Sequence, residues 1–147
     1  AAYARMGDAY ARVRGVVAPR VGLLNVGAEP GKGNALARAT YALLDGGERF
    51  VGNVEPDAVL AGDVDVLITD GFTGNVFLKA LEAANHAFGG PRLAADGERA
   101  AAVLVGIAGE VLVSHGAAGA GQIAAALRTA STVAAGRLSR RIAERLR

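Results

Sequence analysis

Residues 21–34 read VGLLNVGAEPGKGN, an apolar segment followed directly by a polar, glycine-rich loop. The same order recurs twice: GNVEP at residues 52–56 follows a short apolar segment, and DGFTGN at residues 70–75 follows VDVLIT at residues 64–69. The apolar segments have the length and composition of buried strands. Loops that leave the carboxyl ends of parallel strands line one crevice of an open α/β sheet, where such folds bind ligands. The three loops therefore predict a ligand site.

The rest of the chain alternates helical patterns with short apolar segments. The apolar periodicity predicts helices over residues 2–14, 35–44, 72–88 and 122–137, the last of which continues or kinks at Gly136 into residues 138–147. Strands are predicted over residues 20–25, 49–52 and 64–69, and a small hairpin or two sheet strands over residues 100–106 and 110–114. Strands separated by helices imply parallel pairing, so the class is α/β, with residues 1–147 as a single domain.

Three further local features accompany this pattern. Gly7 interrupts the first helix and predicts a close approach of another element there. Asn34 predicts a side-chain cap for the helix over residues 35–44. Residues 89–97 contain a proline and adjacent glycines and predict a loop.

Composition excludes several classes of function. The chain has 147 residues, 52% of them hydrophobic, and no cysteine, which excludes disulfides, thiolate metal sites and a cysteine nucleophile. No apolar run approaches the roughly 18 residues of a membrane span, and the first residues do not form a signal peptide. Few aromatic residues are present and none alternates with the arginines, so we expect no nucleic-acid binding.

Positive charge is concentrated near the carboxyl end. Residues 128–147 carry six arginines against one acid, Glu144, whereas the net charge of the whole chain is only +2. This pattern fits a solvated helix face, or a surface that docks an acidic protein or an anionic lipid.

The first loop has the residue types of an anion site. Backbone N–H groups at the start of a helix favour negative charge, and Lys32 adds a full positive charge. The loop is not a Walker loop, because no Ser or Thr follows the lysine, and it lacks the G-x-G-x-x-G spacing of dinucleotide sites. Read alone, it is either a plain turn or a phosphate loop.

The third loop and the region near His115 supply further candidate groups. Asp70, Thr73, Gly74 and Asn75 combine a carboxylate, a hydroxyl and a carboxamide at a helix start, where helix capping is the alternative to ligand binding. Ser114 and His115 are neighbours on a strand and face opposite sides, so no hydrolase triad is supported. His115 is either an acid or binding group or a structural histidine. No metal site and no cofactor are predicted.

Taken in order, these motifs closely resemble the carboxyl-terminal half of the bacterial phosphate acyltransferases of the PlsX type. The strings that carry the resemblance are PRVGLLNVG at 19–27, GKGN at 31–34, GNVE at 52–55, DGFTGNV at 70–76 and HG at 115–116, preceded by MGDAYA at 6–11. The match runs from about residue 6 to residue 137 with one gap.

The resemblance implies an enzyme that transfers a fatty acyl group from acyl carrier protein to inorganic phosphate, giving acyl phosphate for phospholipid synthesis. It implies a Rossmann-like three-layer α/β/α sandwich with a mostly parallel sheet, similar to the isocitrate and isopropylmalate dehydrogenases. It also implies a homodimer in the cytoplasm, with peripheral membrane contact and a downstream glycerol-3-phosphate acyltransferase as a possible partner.

Residue type and loop position suggest roles for the site residues. Lys32 and nearby N–H groups hold phosphate, Asn75 or Asn34 contacts the oxyanion or the pantetheine, Asp70 orients these groups, and His115 assists the departing thiolate. The remaining predicted substrate-binding residues are Asn25, Gly31, Gly33, Asn53, Thr73 and Gly74.

Two departures from the family pattern leave alternatives open. Nothing in this chain corresponds to the family's amino-terminal half, and only 23 residues separate Lys79 from Val103, where the family has a longer helical insertion for dimer and membrane contacts. The alternatives are a catalytically incomplete fragment or paralogue that binds phosphate or acyl carrier protein, and a phosphotransacetylase-like enzyme that uses coenzyme A.

Overall fold

The computed structural model describes residues 1–47, 49–88, 101–114 and 116–147. The described elements are, in chain order, α1 (Ala2–Val13), β1 (Val21–Leu24), α2 (Ala35–Leu44), β2 (Phe50–Val54), α3 (Pro56–Ala61), β3 (Val66–Ile68), α4 (Gly71–Phe88), β4 (Ala101–Leu104), β5 (Val111–Ser114), α5 (Ala120–Ala135) and α6 (Leu138–Leu146). The predicted α/β class is confirmed. Among the described residues, no helix combines the length and apolar character needed to cross a bilayer.

The chain divides into two compact units. The first unit comprises Ala1–Thr69 together with Arg141–Arg147, and the second comprises Asp70–Arg140. The single domain expected over residues 1–147 stays a prediction.

The first unit is built on a three-stranded parallel sheet in the order β2-β1-β3. The sheet buries Val21, Leu23 and Ile68, and helices α1 and α2 add Ala4 and Leu44 to the same core. The rings of Tyr41 and Phe50 pack edge to face beside this core, with centroids 5.2 Å apart. Strand β1 lies between β2 and β3, and its Val21 and Leu23, two residues apart, point to the same core face.

Gly7 places α1 directly against β3, as the sequence predicted. A Cβ built at Gly7 would lie 2.5 Å from Cγ1 of Val66. The helix can therefore approach the strand this closely only because position 7 has no side chain.

A buried carboxylate joins α1 to the last helix of the chain within the first unit. Asp8 is 5% exposed and accepts hydrogen bonds from Nε of Arg12, at 3.0 and 3.1 Å, and from Nη1 of Arg145. The guanidinium of Arg5 in turn donates to the carbonyl of Arg145 at 3.3 Å. At least one arginine of the basic carboxyl-terminal segment therefore has an internal structural partner.

Strand β2 differs from the prediction in a way that matters for the site. It extends to Val54, because Val54 pairs with Leu24 and its carbonyl accepts the N–H of Asn25 at 2.9 Å. The register with β1 shifts by one residue, from Val21 opposite Phe50 to Gly22 opposite Gly52, and Gly52 has φ of 99°. Beyond this bulge, Asn53 lies opposite Leu23 and its side chain is buried.

The other differences in the first unit concern short elements. Helix α3 was not predicted: six residues are too few for a periodic pattern, although Pro56 at its start and left-handed Gly62 at its end are the usual boundary signals. Strand β3 is shorter than residues 64–69, since Asp65 turns its carboxylate to the N–H and guanidinium of Arg20 instead. These hydrogen bonds from Arg20 lower the pKa of Asp65.

The second unit contains an antiparallel hairpin, which was one of the two alternatives that the sequence predicted for this region. Strands β4 and β5 pair antiparallel, with Leu104 opposite Val111 and Ala102 opposite Val113. These four residues are exposed, while the alternating positions are half-buried. The carboxylate of Glu110 accepts hydrogen bonds from the N–H and hydroxyl of Ser139, both at 2.9 Å. Of the two alternatives at Gly136, the helix does not continue: α5 ends at Ala135, α6 begins at Leu138, and Arg137 between them has φ of 51°.

Replacing Gly7 by alanine tests the close approach of α1 to β3. We expect Gly7→Ala to lower the free energy of unfolding by about 1–3 kcal/mol, the range typical of overpacking. The measurement is denaturant unfolding followed by circular dichroism. Gly121→Ala, also at a helical glycine but with open space around it, is the matched control and should be neutral or slightly stabilising. Equal stability of the two variants would contradict the packing argument.

Candidate functional site

The loop between β1 and α2, residues 25–34, lies at the carboxyl edge of the three-stranded sheet. Asn25 directly follows β1, and Asn53 is the next-to-last residue of β2. Asn25 lies two residues beyond Leu23, and Asn53 pairs with Leu23, so both carboxamides project from the face of the sheet that carries the core. Both are buried, with 8% and 5% of their surface exposed.

These two carboxamides form hydrogen bonds to the backbone of the loop from its core side. Nδ2 of Asn25 donates to the carbonyl of Lys32 at 3.0 Å, while its Oδ1 accepts the N–H of Val26 at 2.9 Å. Nδ2 of Asn53 donates to the carbonyl of Glu29 at 2.7 Å. The loop conformation is therefore set by side chains that the sequence had suggested for substrate binding.

The inward carbonyl of Lys32 leaves a backbone donor on the other side of the loop. The peptide between Lys32 and Gly33 is trans, so its N–H points opposite to the carbonyl that Asn25 holds. Among the residues that the structure describes, none accepts a hydrogen bond from the N–H of Gly31 or Gly33. Unpaired N–H groups just before a helix favour a bound anion.

Gly33 has no room for a side chain. Its φ is 89°, and a Cβ there would lie 2.5 Å from Oδ1 of Asn25 and 2.9 Å from Cβ of Ala37. Gly31, by contrast, has open space around it. The second glycine of GKGN is thus a requirement of the fold, whereas the first is compatible with close approach of a ligand.

Lys32 and Glu29 fold across Gly27. Their charged atoms are 3.9 Å apart, and the two side chains are 52% and 68% exposed. A Cβ at Gly27 would lie 2.9 Å from Oε2 of Glu29 and 3.1 Å from Cγ of Lys32. Lys32 therefore presents its ammonium to solvent over the loop, with a carboxylate beside it.

Asn34 begins α2 as predicted. Its Oδ1 accepts the N–H of Ala37 at 2.9 Å, which leaves Nδ2 as the donor of this side chain. Arg38, one turn into the helix, donates to the carbonyl of Gly33. The cap and the arginine together fix the point where the loop enters the helix.

The second unit contains the other predicted group, at the start of α4. Oδ1 of Asp70 accepts the N–H of Phe72 at 3.0 Å and of Thr73 at 2.9 Å. The side-chain hydrogen bond from Thr73, together with these N–H groups, lowers the pKa of Asp70. Gly74 is buried, whereas Thr73 and Asn75 are exposed. Asp70 thus serves as the helix cap, the alternative that the sequence analysis had weighed against ligand binding.

The predicted site residues fall into two groups. Asn25, Gly31, Lys32, Gly33, Asn34 and Asn53 come together in the first unit. Asp70, Thr73, Gly74 and Asn75 come together in the second unit. The candidate His115 lies outside the described residues, and the described residues contain no group of three His, Asp or Glu side chains able to hold a metal ion.

Sequence reasoning missed three residues of the first group. Glu29 and Gly27 lie inside the quoted loop, but only the structure shows Gly27 under the Glu29–Lys32 pair. Arg38 follows the cap Asn34 by four residues, one helical turn, and this spacing was the available signal.

The fold and this loop define an α/β protein with the features of an anion site at the edge of a parallel sheet. Comparison with known proteins is more specific. A family model described as "Fatty acid synthesis protein" matches residues 1–96, and the chain belongs to that family. The predicted resemblance is confirmed.

Curated relatives carry the name "Phosphate acyltransferase". The protein from Thermobifida fusca (strain YX) is 40% identical, over 95% of this chain and 48% of its own length. The protein from Staphylococcus aureus (strain Newman) is 37% identical, over 87% of this chain and 48% of its own length. This chain therefore spans about half the length of the curated relatives it matches. The Thermobifida alignment covers 178 residues, more than the 147 of this chain, so this chain lacks residues that the relative has within the matched region.

Substitution at Gly33 tests whether the buried carboxamide of Asn25 sets the loop. We expect Gly33→Ala to lower the free energy of unfolding by about 1–3 kcal/mol, because its backbone is left-handed and its Cβ meets Asn25. Gly31→Ala, in open space, should change stability by less than about 0.5 kcal/mol. Denaturant titrations measure both, and a Gly31 variant as unstable as the Gly33 variant would contradict the assignment.

The lowered pKa of Asp70 predicts a pH dependence of stability. A carboxyl group whose folded pKa lies below its usual value of 3.8 stabilises the fold above that value, and this contribution is lost as the pH falls through the folded pKa. Asp70→Ala should therefore lower the melting temperature at neutral pH. The difference from the unmodified chain should shrink at about pH 3. A difference that is the same at both pH values would exclude the charged cap as its cause.

Proposed function

We propose that this chain contributes to the transfer of a fatty acyl group from acyl carrier protein to inorganic phosphate, giving acyl phosphate for phospholipid synthesis. Membership of the fatty acid synthesis family and the name of the curated relatives support this activity. The single structural observation that carries it is the loop over residues 25–34, in which unpaired N–H groups and the Lys32 ammonium lie at the start of a helix.

The reaction requires little from the protein beyond placement and electrostatics. Phosphate is already an anionic nucleophile at neutral pH, so one of its oxygens can attack the thioester carbonyl once it is held in line. The new O–C bond forms a tetrahedral oxyanion. Collapse of this intermediate breaks the C–S bond, and the thiolate of the carrier leaves and takes up a proton. The absence of cysteine is compatible with this direct route.

The loop residues fit distinct roles in this scheme. Lys32 and the N–H groups of Gly31 and Gly33 hold phosphate. Asn34 uses Oδ1 for the helix cap, so its free Nδ2 is the donor available to an oxyanion or to pantetheine. Asn25 and Asn53 act as positioning residues through the loop carbonyls that they hold.

The residues of the second unit have supporting roles in the proposal. Asp70 orients the first turn of α4, and Thr73, Gly74 and the exposed carboxamide of Asn75 are the substrate-binding groups assigned there. Protonation of the leaving thiolate is assigned to His115 on sequence grounds alone.

The finer structural and cellular expectations belong to the same proposal. They are a Rossmann-like three-layer sandwich, a homodimer in the cytoplasm, peripheral membrane contact, and delivery of acyl phosphate to a glycerol-3-phosphate acyltransferase. The uncovered apolar face of the β4–β5 hairpin is compatible with additional protein packed against the second unit.

One observation favours a second candidate function. Because the chain spans about half the length of its curated relatives, it also suits a module that binds phosphate or acyl carrier protein without turnover. The two functions separate in an assay of thiol release from a long-chain acyl carrier protein. Phosphate-dependent release by the purified, folded chain supports the transferase, and phosphate binding without release supports the module. Preference for a coenzyme A thioester would indicate a phosphotransacetylase-like enzyme instead.

Lys32 provides the sharpest test of the phosphate loop. We expect Lys32→Met to raise the phosphate concentration needed for half-maximal thiol release, or for half-saturation in a binding experiment, by about tenfold or more, because it removes a charged hydrogen-bond donor. Lys79→Met is the control: this exposed lysine pairs with Glu82 at 2.8 Å on α4. An unchanged phosphate dependence in the Lys32 variant would remove this residue from the site.

A further inference from the structure

The loop over residues 25–34 carries an exposed acceptor beside its lysine, the carboxylate of Glu29. Its Oε2 is 3.9 Å from Nζ of Lys32, close enough for an ion pair but too long for a hydrogen bond. The two side chains lie over Gly27, where the absence of a Cβ leaves room for both. An anion that reaches Lys32 therefore also meets a negatively charged acceptor.

This combination suits only some anions. A fully deprotonated tetrahedral oxyanion would place bare oxygens against the Glu29 carboxylate, and this contact is repulsive. An oxyanion that keeps one hydroxyl turns that O–H toward the Glu29 carboxylate and its bare oxygens toward Lys32 and the loop N–H groups. Phosphate keeps at least one proton at neutral pH, whereas sulfate and fluorophosphate keep none.

We propose that the loop over residues 25–34 selects a protonated tetrahedral oxyanion, with Glu29 as the specificity-determining acceptor of its O–H. The inference deepens the proposed function and rests on it, because it requires that phosphate bind at Lys32. It assigns Glu29, which the sequence analysis did not single out, to recognition of the nucleophile.

Fluorophosphate is the decisive probe, since it matches the monoprotonated phosphate dianion in charge and nearly in shape but has fluorine in place of the hydroxyl. Titration calorimetry on the folded full chain, slightly above neutral pH, would compare phosphate, arsenate, fluorophosphate and sulfate. Phosphate and arsenate, which both carry a proton, should bind alike. Fluorophosphate and sulfate should bind at least about tenfold more weakly, as expected for loss of a hydrogen bond to a charged group.

Variants locate the source of the discrimination. Glu29→Ala should reduce the preference for phosphate over fluorophosphate several-fold, mainly by improving fluorophosphate binding. Asp45→Ala is the matched control, because it removes an exposed carboxylate at the other end of α2 and should keep the full preference. A preference unchanged by Glu29→Ala would overturn the assignment of Glu29.

The outcomes also separate this inference from the proposed function. Equal binding of phosphate and fluorophosphate by the unmodified chain would overturn the inference and leave the phosphate site in place. Failure of the folded chain to bind phosphate at all would overturn both. Tight phosphate binding with weak fluorophosphate binding supports both together.

Discussion

The structure of the first unit depends on β1 having a parallel partner on each side. At Gly22, in the middle of this strand, an added Cβ would lie 2.8 Å from methyl carbons of both Val54 and Val64. On one face of β1, the side chains of Val54 and Val64 therefore fill the space over Gly22. On the other face, Val21 and Leu23 form part of the core. The position of the loop over residues 25–34 follows from this arrangement, because the loop begins where β1 ends.

Polar residues in the core continue the sheet into the site. Asn25 and Asn53 occupy positions on the core face where an apolar side chain would satisfy packing alone. Their carboxamides instead donate hydrogen bonds to the loop carbonyls and so connect the loop backbone directly to the core. These hydrogen bonds favour one loop conformation, since another would leave the buried Nδ2 groups unpaired. Pre-organisation of this sort is what an anion site requires, because little energy is then lost in ordering the loop when the ligand binds.

Much of this could be predicted from sequence, for identifiable reasons. The strand over residues 21–24, the cap at Asn34 and the close contact at Gly7 depend on local composition and on residue types with strong positional preferences. The bulge before Asn53, the short helix α3 and the crossing of Glu29 and Lys32 over Gly27 depend on register and tertiary contact, which no local pattern encodes. For Asp70 the sequence left capping and ligand binding open, and the hydrogen bonds of Phe72 and Thr73 show the cap.

The pairing of Asp8 with Arg145 has a consequence for how the protein is made. The two residues are 137 positions apart, and the first unit is assembled from segments that the second unit separates in sequence. A chain emerging from the ribosome can form β1, β2 and β3 early, but Asp8 lacks this partner until Arg145 has been synthesised. The sheet is thus completed long before the bond that ties α6 to α1. During synthesis the first unit passes through a stage in which apolar contacts hold α1 to the sheet, while the Asp8 carboxylate is paired with Arg12 of the same helix.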